Sequence, residues 1–392
     1  MRTDVTILTD RDVIELAQSL VRIPSVSGDE RRVAEHLAAA ITPAFDTVRV
    51  DEHGNVIAEA AGSTPGPTIL LNGHLDVVDA GAMDDPWSAK LIDGAPWGSP
   101  GEVMGGRGTM DMKGALASLV GAVSAVRAQG FAGHIIYTAV ILEEPGGGVG
   151  TRQATRALGR RPDVAISAEP TDFEICLGHR GKVELELETR GKTAHSSIPH
   201  TGINALLLMN AFLNAWPRLP MPEHPLAGKC TSAITNINVS PGRLAVIPDR
   251  CRLHFDVRFL PGESHDRPMA DVRRLCDELK ATVPDFEYEL RERIVMPSFL
   301  MPPAHPAVDL LAGIVEAETG RTPQRRCYTG GTDGTYLWNE FGIPVLGCGP
   351  GRIDLAHSPI EHVRVDDLIR ARRIYAKLIQ ALGTAPITWG QA

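Results

Sequence analysis

Between Asp10 and Val21 the apolar residues Val13, Ile14, Leu16, Ala17 and Leu20 recur at helical spacing, and Pro24 closes the segment. A helix is predicted there. Ser27-Gly28-Asp29-Glu30 is expected to cap a second helix running through Ala40. Residues 47–60 alternate as strand around a His53-Gly54-Asn55 turn. Short apolar runs at 68–71, 134–142 and 164–167 read as buried strands, and the Ala-rich stretch 113–129 as a long helix. Strands alternating with helices of this length predict an α/β layer built on a mixed, mainly parallel sheet with helices on both faces.

The pattern changes near Leu177. Residues 182–189 alternate strictly, as a sheet with one solvated face does. A helix over 202–216 follows, then strands at 233–240 and 251–259, a helix at 265–282 and a strand at 286–290. This β-α-β-β-α-β order fits a ferredoxin-like α+β module. After Arg293 the α/β pattern resumes, with a helix at 306–319, a strand at 344–346 and a closing helix at 365–382. The expected plan is a main domain made of residues 1–178 and 293–392, interrupted by a lid and dimerisation domain at 179–292.

Composition bounds the class. A chain of 392 residues exceeds what one core usually organises, in keeping with two domains. Gly (39) and Pro (29) are dispersed among apolar runs, which implies many tight turns rather than low complexity. The net charge of −9 comes with no basic block, which excludes the Lys/Arg footprint of a nucleic-acid partner. None of the six cysteines forms a C-x-x-C pair. The first twenty residues lack the apolar core of a signal peptide, and no run approaches the ~18 apolar residues of a membrane span. A cytoplasmic protein with reduced thiols and no membrane partner is expected.

Against this background, acids and imidazoles fall at or after the ends of predicted strands. His74 and Asp76 follow 68–71, Glu143 and Glu144 end 134–142, Glu169 follows 164–167, and His357 follows 344–346. Asp111 stands in a Gly-rich turn just before the long helix. Alone, each has an ordinary explanation: a surface His–Asp pair, a solvated strand end, a helix cap. Together they lie where an open α/β sheet gathers ligands, outside the carboxyl ends of its strands. Two imidazoles and three carboxylates suit a pair of borderline divalent ions such as zinc, with Asp111 best placed to bridge them. Asp76 is placed to accept the other N–H of His74, and Glu143 to act as general base beside the ligand Glu144. No G-x-S-x-G, phosphate loop, dinucleotide fingerprint or H-E-x-x-H is present.

Five segments, read in order, resemble the M20 metallopeptidase family of deacylases and carboxypeptidases. They are Asn72-Gly73-His74-Leu75-Asp76, Gly106-Arg107-Gly108-Thr109-Met110-Asp111-Met112-Lys113-Gly114, Glu143-Glu144-Pro145, Ser167-Ala168-Glu169-Pro170-Thr171 and Ala356-His357-Ser358-Pro359-Ile360-Glu361. The resemblance implies a zinc-exopeptidase-like fold and two divalent ions, zinc with cobalt or manganese as alternatives. One would be held by His74, Asp111 and Glu169, the other by Asp111, Glu144 and His357. It implies that Glu143 activates a bridging water and that Asp76 orients His74. Gly191-Lys192-Thr193-Ala194-His195 resembles the lid segment whose His reaches the partner subunit's active site, so a homodimer is implied. Arg258, in Asp256-Val257-Arg258, resembles the residue that clamps a substrate carboxylate, a task suited to paired guanidinium donors. Gly331 and Thr332 are also expected to bind substrate. In one place the pattern departs: Ala245 stands where relatives usually carry Asn.

The expected activity is metal-assisted hydrolysis of the amide bond of an N-acyl amino acid, as in deacetylases and desuccinylases. A dipeptidase, carboxypeptidase or other amide hydrolase is the alternative on the same site. A catalytically silent metal-binding protein is a remote one.

Overall fold

The computed structural model describes residues 7–385 and 387. The part of the signal-peptide argument that rests on residues 1–6 lies outside them. By contacts the chain divides into two compact units. The first contains the described residues up to Gly178, Met301–Tyr328, and those from Thr332 onward; the second contains His179–Leu300 and Thr329–Gly331.

In the first unit the strands line up as Thr47–Val50, Val56–Ala61, Ala132–Val140, Thr64–His74, Val164–Ser167, Val345–Gly347 and Ile175–His179. The four from Ala132–Val140 to Val345–Gly347 are mutually parallel, and antiparallel pairs flank them. The sheet is therefore mixed α/β with a parallel centre. Its central strands read as continuous apolar runs because both faces are covered. Gly114–Gln129 shows why: it is buried almost all round, as a helix enclosed by other elements must be. Helices Asp10–Val21 and Val365–Thr384 cover it, and Val13, Ala17, Ala117 and Leu368 share one apolar cluster with Met110. A small antiparallel sheet joins Lys90–Asp93, Glu102–Gly105 and His362–Arg364.

Several local expectations shift. The strand expected at 68–71 runs from Thr64 to His74, so His74 ends a strand instead of following one. The second helix, Arg31–Ile41, has no side-chain cap, because the Ser27 hydroxyl donates to Asp76 at 2.8 Å. Helices Val149–Arg156 and Gly334–Phe341 were not anticipated, since each has only eight residues and lies among glycines.

The second unit is a four-stranded antiparallel sheet in the order Thr231–Ser240, Arg250–Phe259, Gly181–Arg190, Glu287–Met296. Val183, Leu185 and Leu187 alternate toward one face, where they meet Phe255 from the neighbouring strand, Phe212 from helix Ala205–Ala215 and Leu275 from helix Asp266–Thr282. Each fully buried side chain of this size contributes roughly 1.5–3 kcal/mol. The last strand extends to Met296, past the expected 290, because its pairing with Gly181–Arg190 resumes after a bulge at Glu292/Ile294.

Candidate metal centre

His74 is the last residue of Thr64–His74, a strand paired in parallel with Ala132–Val140 on one side and Val164–Ser167 on the other. The register sets His74 beside Val140 and Asn72 beside Ser167. Glu143, Glu144 and Glu169 therefore leave neighbouring strands at the same sheet edge. Asp111 arrives differently. Its turn passes through Gly106 (φ 142°) and Gly108 (φ 81°), and a Cβ at Gly108 would lie 2.6 Å from Val77 Cγ1. Only glycine fits there. Behind the turn, Lys113 is fully buried, its Nζ donating to the carbonyls of Leu20 (3.1 Å) and Ile23 (2.8 Å). Burial lowers its pKa to about 7.

The side chains converge as two groups sharing Asp111. His74 Nε2 lies 3.1 Å from Asp111 Oδ1 and 3.9 Å from Glu169 Oε2. His357 Nε2 lies 3.4 Å from Asp111 Oδ2 and 3.0 Å from Glu144 Oε2. Within each group the ligand atoms fall within 4.8 Å of one another. A tetrahedral zinc ion with ligands at about 2.0–2.1 Å spaces them about 3.4 Å apart. The donors fit, and Asp111 offers a different oxygen to each group.

The electrostatics agree. Loss of water contact lifts Glu169 to about 8 and Glu143 well above the ordinary carboxylate range, with acidic neighbours adding to both. His357 rises to about 10 through its bonds to Asp111 and Glu144. Burial opposes the charge on His74, yet its bond to Asp111 and the nearby carboxylates of Asp76, Glu143 and Glu169 still carry its pKa well above normal. Asp111, also buried, is nevertheless held far below the usual range by the two imidazoles. An acid surplus held partly protonated is a site short of positive charge. Divalent cations would supply it, with the carboxyls ionised and the imidazoles neutral.

Asp76 corrects the expected geometry. The Nδ1 of His74 lies 2.8 Å from the backbone carbonyl of Asp76 and 3.6 Å from its carboxylate. That carboxylate instead accepts the backbone N–H groups of Glu143 (3.0 Å) and Glu144 (3.1 Å) and the Ser27 hydroxyl. Three donors occupy it, so the carbonyl takes the imidazole. The carboxylate of Glu143 itself accepts no hydrogen bond from the described residues. Leu142 (φ 54°) and His357 (φ 61°) hold left-handed backbone, a strain that clusters at functional sites.

Sequence reasoning passed over Asp333. It is buried, with its pKa raised to about 6 by loss of water, and its Oδ2 has no hydrogen-bond partner among the described residues. Thr151 bonds it and also receives the Asn72 amide at 3.3 Å, two residues before His74. An acid directly after Gly330-Gly331-Thr332 and before a helix was a readable signal.

The description "Peptidase family M20/M25/M40" matches residues 70–381. The chain belongs to this family. Among its M20 relatives, the succinyl-diaminopimelate desuccinylase of Methylorubrum extorquens is 29% identical, covering 95% of this chain and all of that one. Among solved structures, aminopeptidase PepT of Bacillus cereus superposes with a TM-score of 0.75 at 18% identity, covering 96% of this chain and 100% of that one. The Bacillus subtilis YXEP protein, a dinuclear metal-binding peptidase of the M20 family, superposes with a TM-score of 0.71 at 16% identity, covering 95% and 98%. The M20 chain described here is thus a metal-dependent amide hydrolase. No helix among its described residues is long and apolar enough to cross a membrane.

The remaining M20 candidates lie elsewhere. His195 is exposed in the second unit. Its Nδ1 accepts from the Ser197 N–H at 3.2 Å and lies 2.8 Å from the Ser197 hydroxyl, which leaves the ring proton on Nε2. Arg258 is in the same unit, its Nε donating to Asp256 at 2.7 Å. The chain passes between units at Gly331 and Thr332, the former in the second unit and the latter, buried, in the first. A Cβ on Gly331 would lie 2.2 Å from Met296 Sδ. Ala245 adopts φ 62°, a conformation that Asn tolerates and Ala does not.

Proposed function

We propose that this chain hydrolyses the amide bond of an N-acyl amino acid at two divalent ions, zinc before cobalt or manganese. The observation that carries the reading is the paired donor groups sharing Asp111, with the uncommitted carboxylate of Glu143 beside them. His74, Asp111 and Glu169 would hold one ion, and Asp111, Glu144 and His357 the other. When bound, such ions polarise a carbonyl and acidify a water held between them. Glu143 takes a proton from the attacking water as its oxygen bonds to the carbonyl carbon. It then gives that proton to the nitrogen as the C–N bond breaks. Its raised proton affinity suits both halves of the transfer. Asp76 keeps Glu143 in place through the backbone.

Nε2–H of His195 is available to donate to the developing oxyanion in the active site of the partner subunit, and the terminal nitrogens of Arg258, its Nε being occupied, to a substrate carboxylate. Gly331 and Thr332 are assigned to substrate binding on the sequence alone. A homodimer through the second unit is supported by its edge strand Thr231–Ser240, paired on one side only. Ile234, Ile237 and Val239 on that strand are each at least 40% exposed. A cytoplasmic location accords with six buried cysteines, none of them in a disulfide among the described residues.

The test is a zinc-reconstituted screen of N-acetyl and N-succinyl amino acids against dipeptides, read by amine release. Fastest turnover of an N-acyl amino acid is expected; a dipeptide preference selects the alternative. Glu143→Gln should keep its metal while turnover falls by roughly 10²–10⁴-fold. An active E143Q enzyme removes Glu143 from this role.

A further inference from the structure

The two donor groups are not equally supported. His74 ends one of two adjoining parallel strands and Glu169 follows the other by two residues, just beyond the last paired residues Asn72 and Ser167. His357 lies in a loop, half exposed, with left-handed backbone, and no strand pairs at its position. What ties that loop to the Asp111 turn is a buried ion pair that no role yet accounts for.

Glu361 and Arg107 are 1% and 2% exposed. One Glu361 oxygen is held by Arg107 Nη1, while the other accepts the N–H of Gly108 at 2.7 Å and that of Met110 at 3.4 Å. The Glu361 carbonyl accepts from Gly106 N–H at 3.1 Å. Arg107 Nη2 turns the other way and donates to the carbonyl of His357 at 3.2 Å, across 250 positions of sequence. The contact continues the ladder in which His362 faces Gly105. A single guanidinium thus spans the loop of one ligand while its partner carboxylate gathers the N–H groups around the other. The planar fork of Arg permits this; a point-charge ammonium satisfies one direction only.

The geometry points to Arg107 and Glu361 as positioning residues that set the spacing between Asp111 and His357, and so select for the second of two divalent ions. The inference rests on the metal-centre reading above. Neither residue touches a donor side chain of that centre in these contacts; they act through the backbone. The first ion shares Asp111, but its other two donors, His74 and Glu169, stand at strand ends that the pair does not touch, so it depends on the pair less.

Titration of metal-free protein with Zn²⁺ alone, using a competing chelator dye and elemental analysis of bound zinc, tests this. Wild type should take up two ions. Arg107→Lys keeps the buried charge paired but loses the fork, and Glu361→Gln keeps the shape but turns a donor toward donors. Both should bind the second ion roughly 10–100-fold more weakly, the usual effect of an outer-shell partner, and the first, which shares only Asp111 with it, less weakened than the second. Arg352→Gln, which breaks an exposed ion pair with Asp354 in the same loop, should change neither. Two ions bound at wild-type affinity in both clamp variants overturn the inference, as does equal weakening of both ions. A wild-type chain that takes up fewer than two ions overturns the metal-centre reading instead. Cooperative melting of metal-free R107K checks that its fold is retained.

Discussion

Asp76→Asn separates two ways in which this acid serves the site. Its carboxylate is fully buried and accepts three hydrogen bonds, from Glu143 N–H, Glu144 N–H and the Ser27 hydroxyl. Asparagine offers one oxygen in place of two, and its amide must point at a backbone N–H. One charge-assisted bond is lost, about 1.5–3 kcal/mol, and a donor is left facing a donor, about 1–3 kcal/mol. The Ser27 hydroxyl can turn to accept from the new amide, so only these two terms count and their lower end, about 2.5 kcal/mol, is expected. If the loss falls on the transition state through a displaced Glu143, kcat falls about 10²-fold. His74 keeps its partner, because its Nδ1 lies against the Asp76 backbone carbonyl, which the substitution leaves alone. Affinity for the ion at His74, Asp111 and Glu169 should therefore change little. Steady-state kinetics on the best amide substrate, together with zinc titration, measure both quantities. An unchanged kcat with a weakened His74 ion would falsify the reasoning and return the carboxylate to the imidazole.

Four further outcomes follow from the same geometry. In metal-free protein Glu169 is raised from 4.5 to about 8 and His357 from 6.5 to about 10, so the native state binds more protons than the unfolded state between these limits. Stability, read by urea denaturation, should then fall as pH rises from 4.5 to about 8 and level off above that, where Lys113, lowered to about 7, offsets His357; the fall should be far smaller once zinc is bound. Ala245→Asn relieves a left-handed alanine and should stabilise the chain by about 1 kcal/mol in thermal melts; no gain would mean the loop is unstrained. Mixing His195→Ala with Glu143→Gln subunits should restore activity if His195 serves the partner's site, and inactivity of every mixture would rule that out. Ile237→Lys on the exposed edge strand should yield a monomer by sedimentation, whereas an intact dimer would place the interface elsewhere.

What the chain determined locally is its element types and its chemistry. Apolar runs such as Val164–Ser167 announce strands enclosed on both faces, and Val183, Leu185 and Leu187 announce one apolar face; the solvated opposite face expected from the alternation is not found, since Glu186 and Glu188 are buried against Arg291 and Arg252. The Gly106–Gly108 turn was legible since only glycine adopts that backbone, and the spread of acids and imidazoles at strand ends pointed to metal. Tertiary structure decided what depends on competition between distant groups. Ser27 leaves its helix to bond Asp76, and the Asp76 carboxylate, claimed by three donors, yields His74 to its own carbonyl. Asp333 comes close enough to His74 to feel its charge, and Glu361 meets Arg107 across 254 positions. A hydrogen bond goes to whichever partner the fold brings nearest, and that distance is written in no single segment.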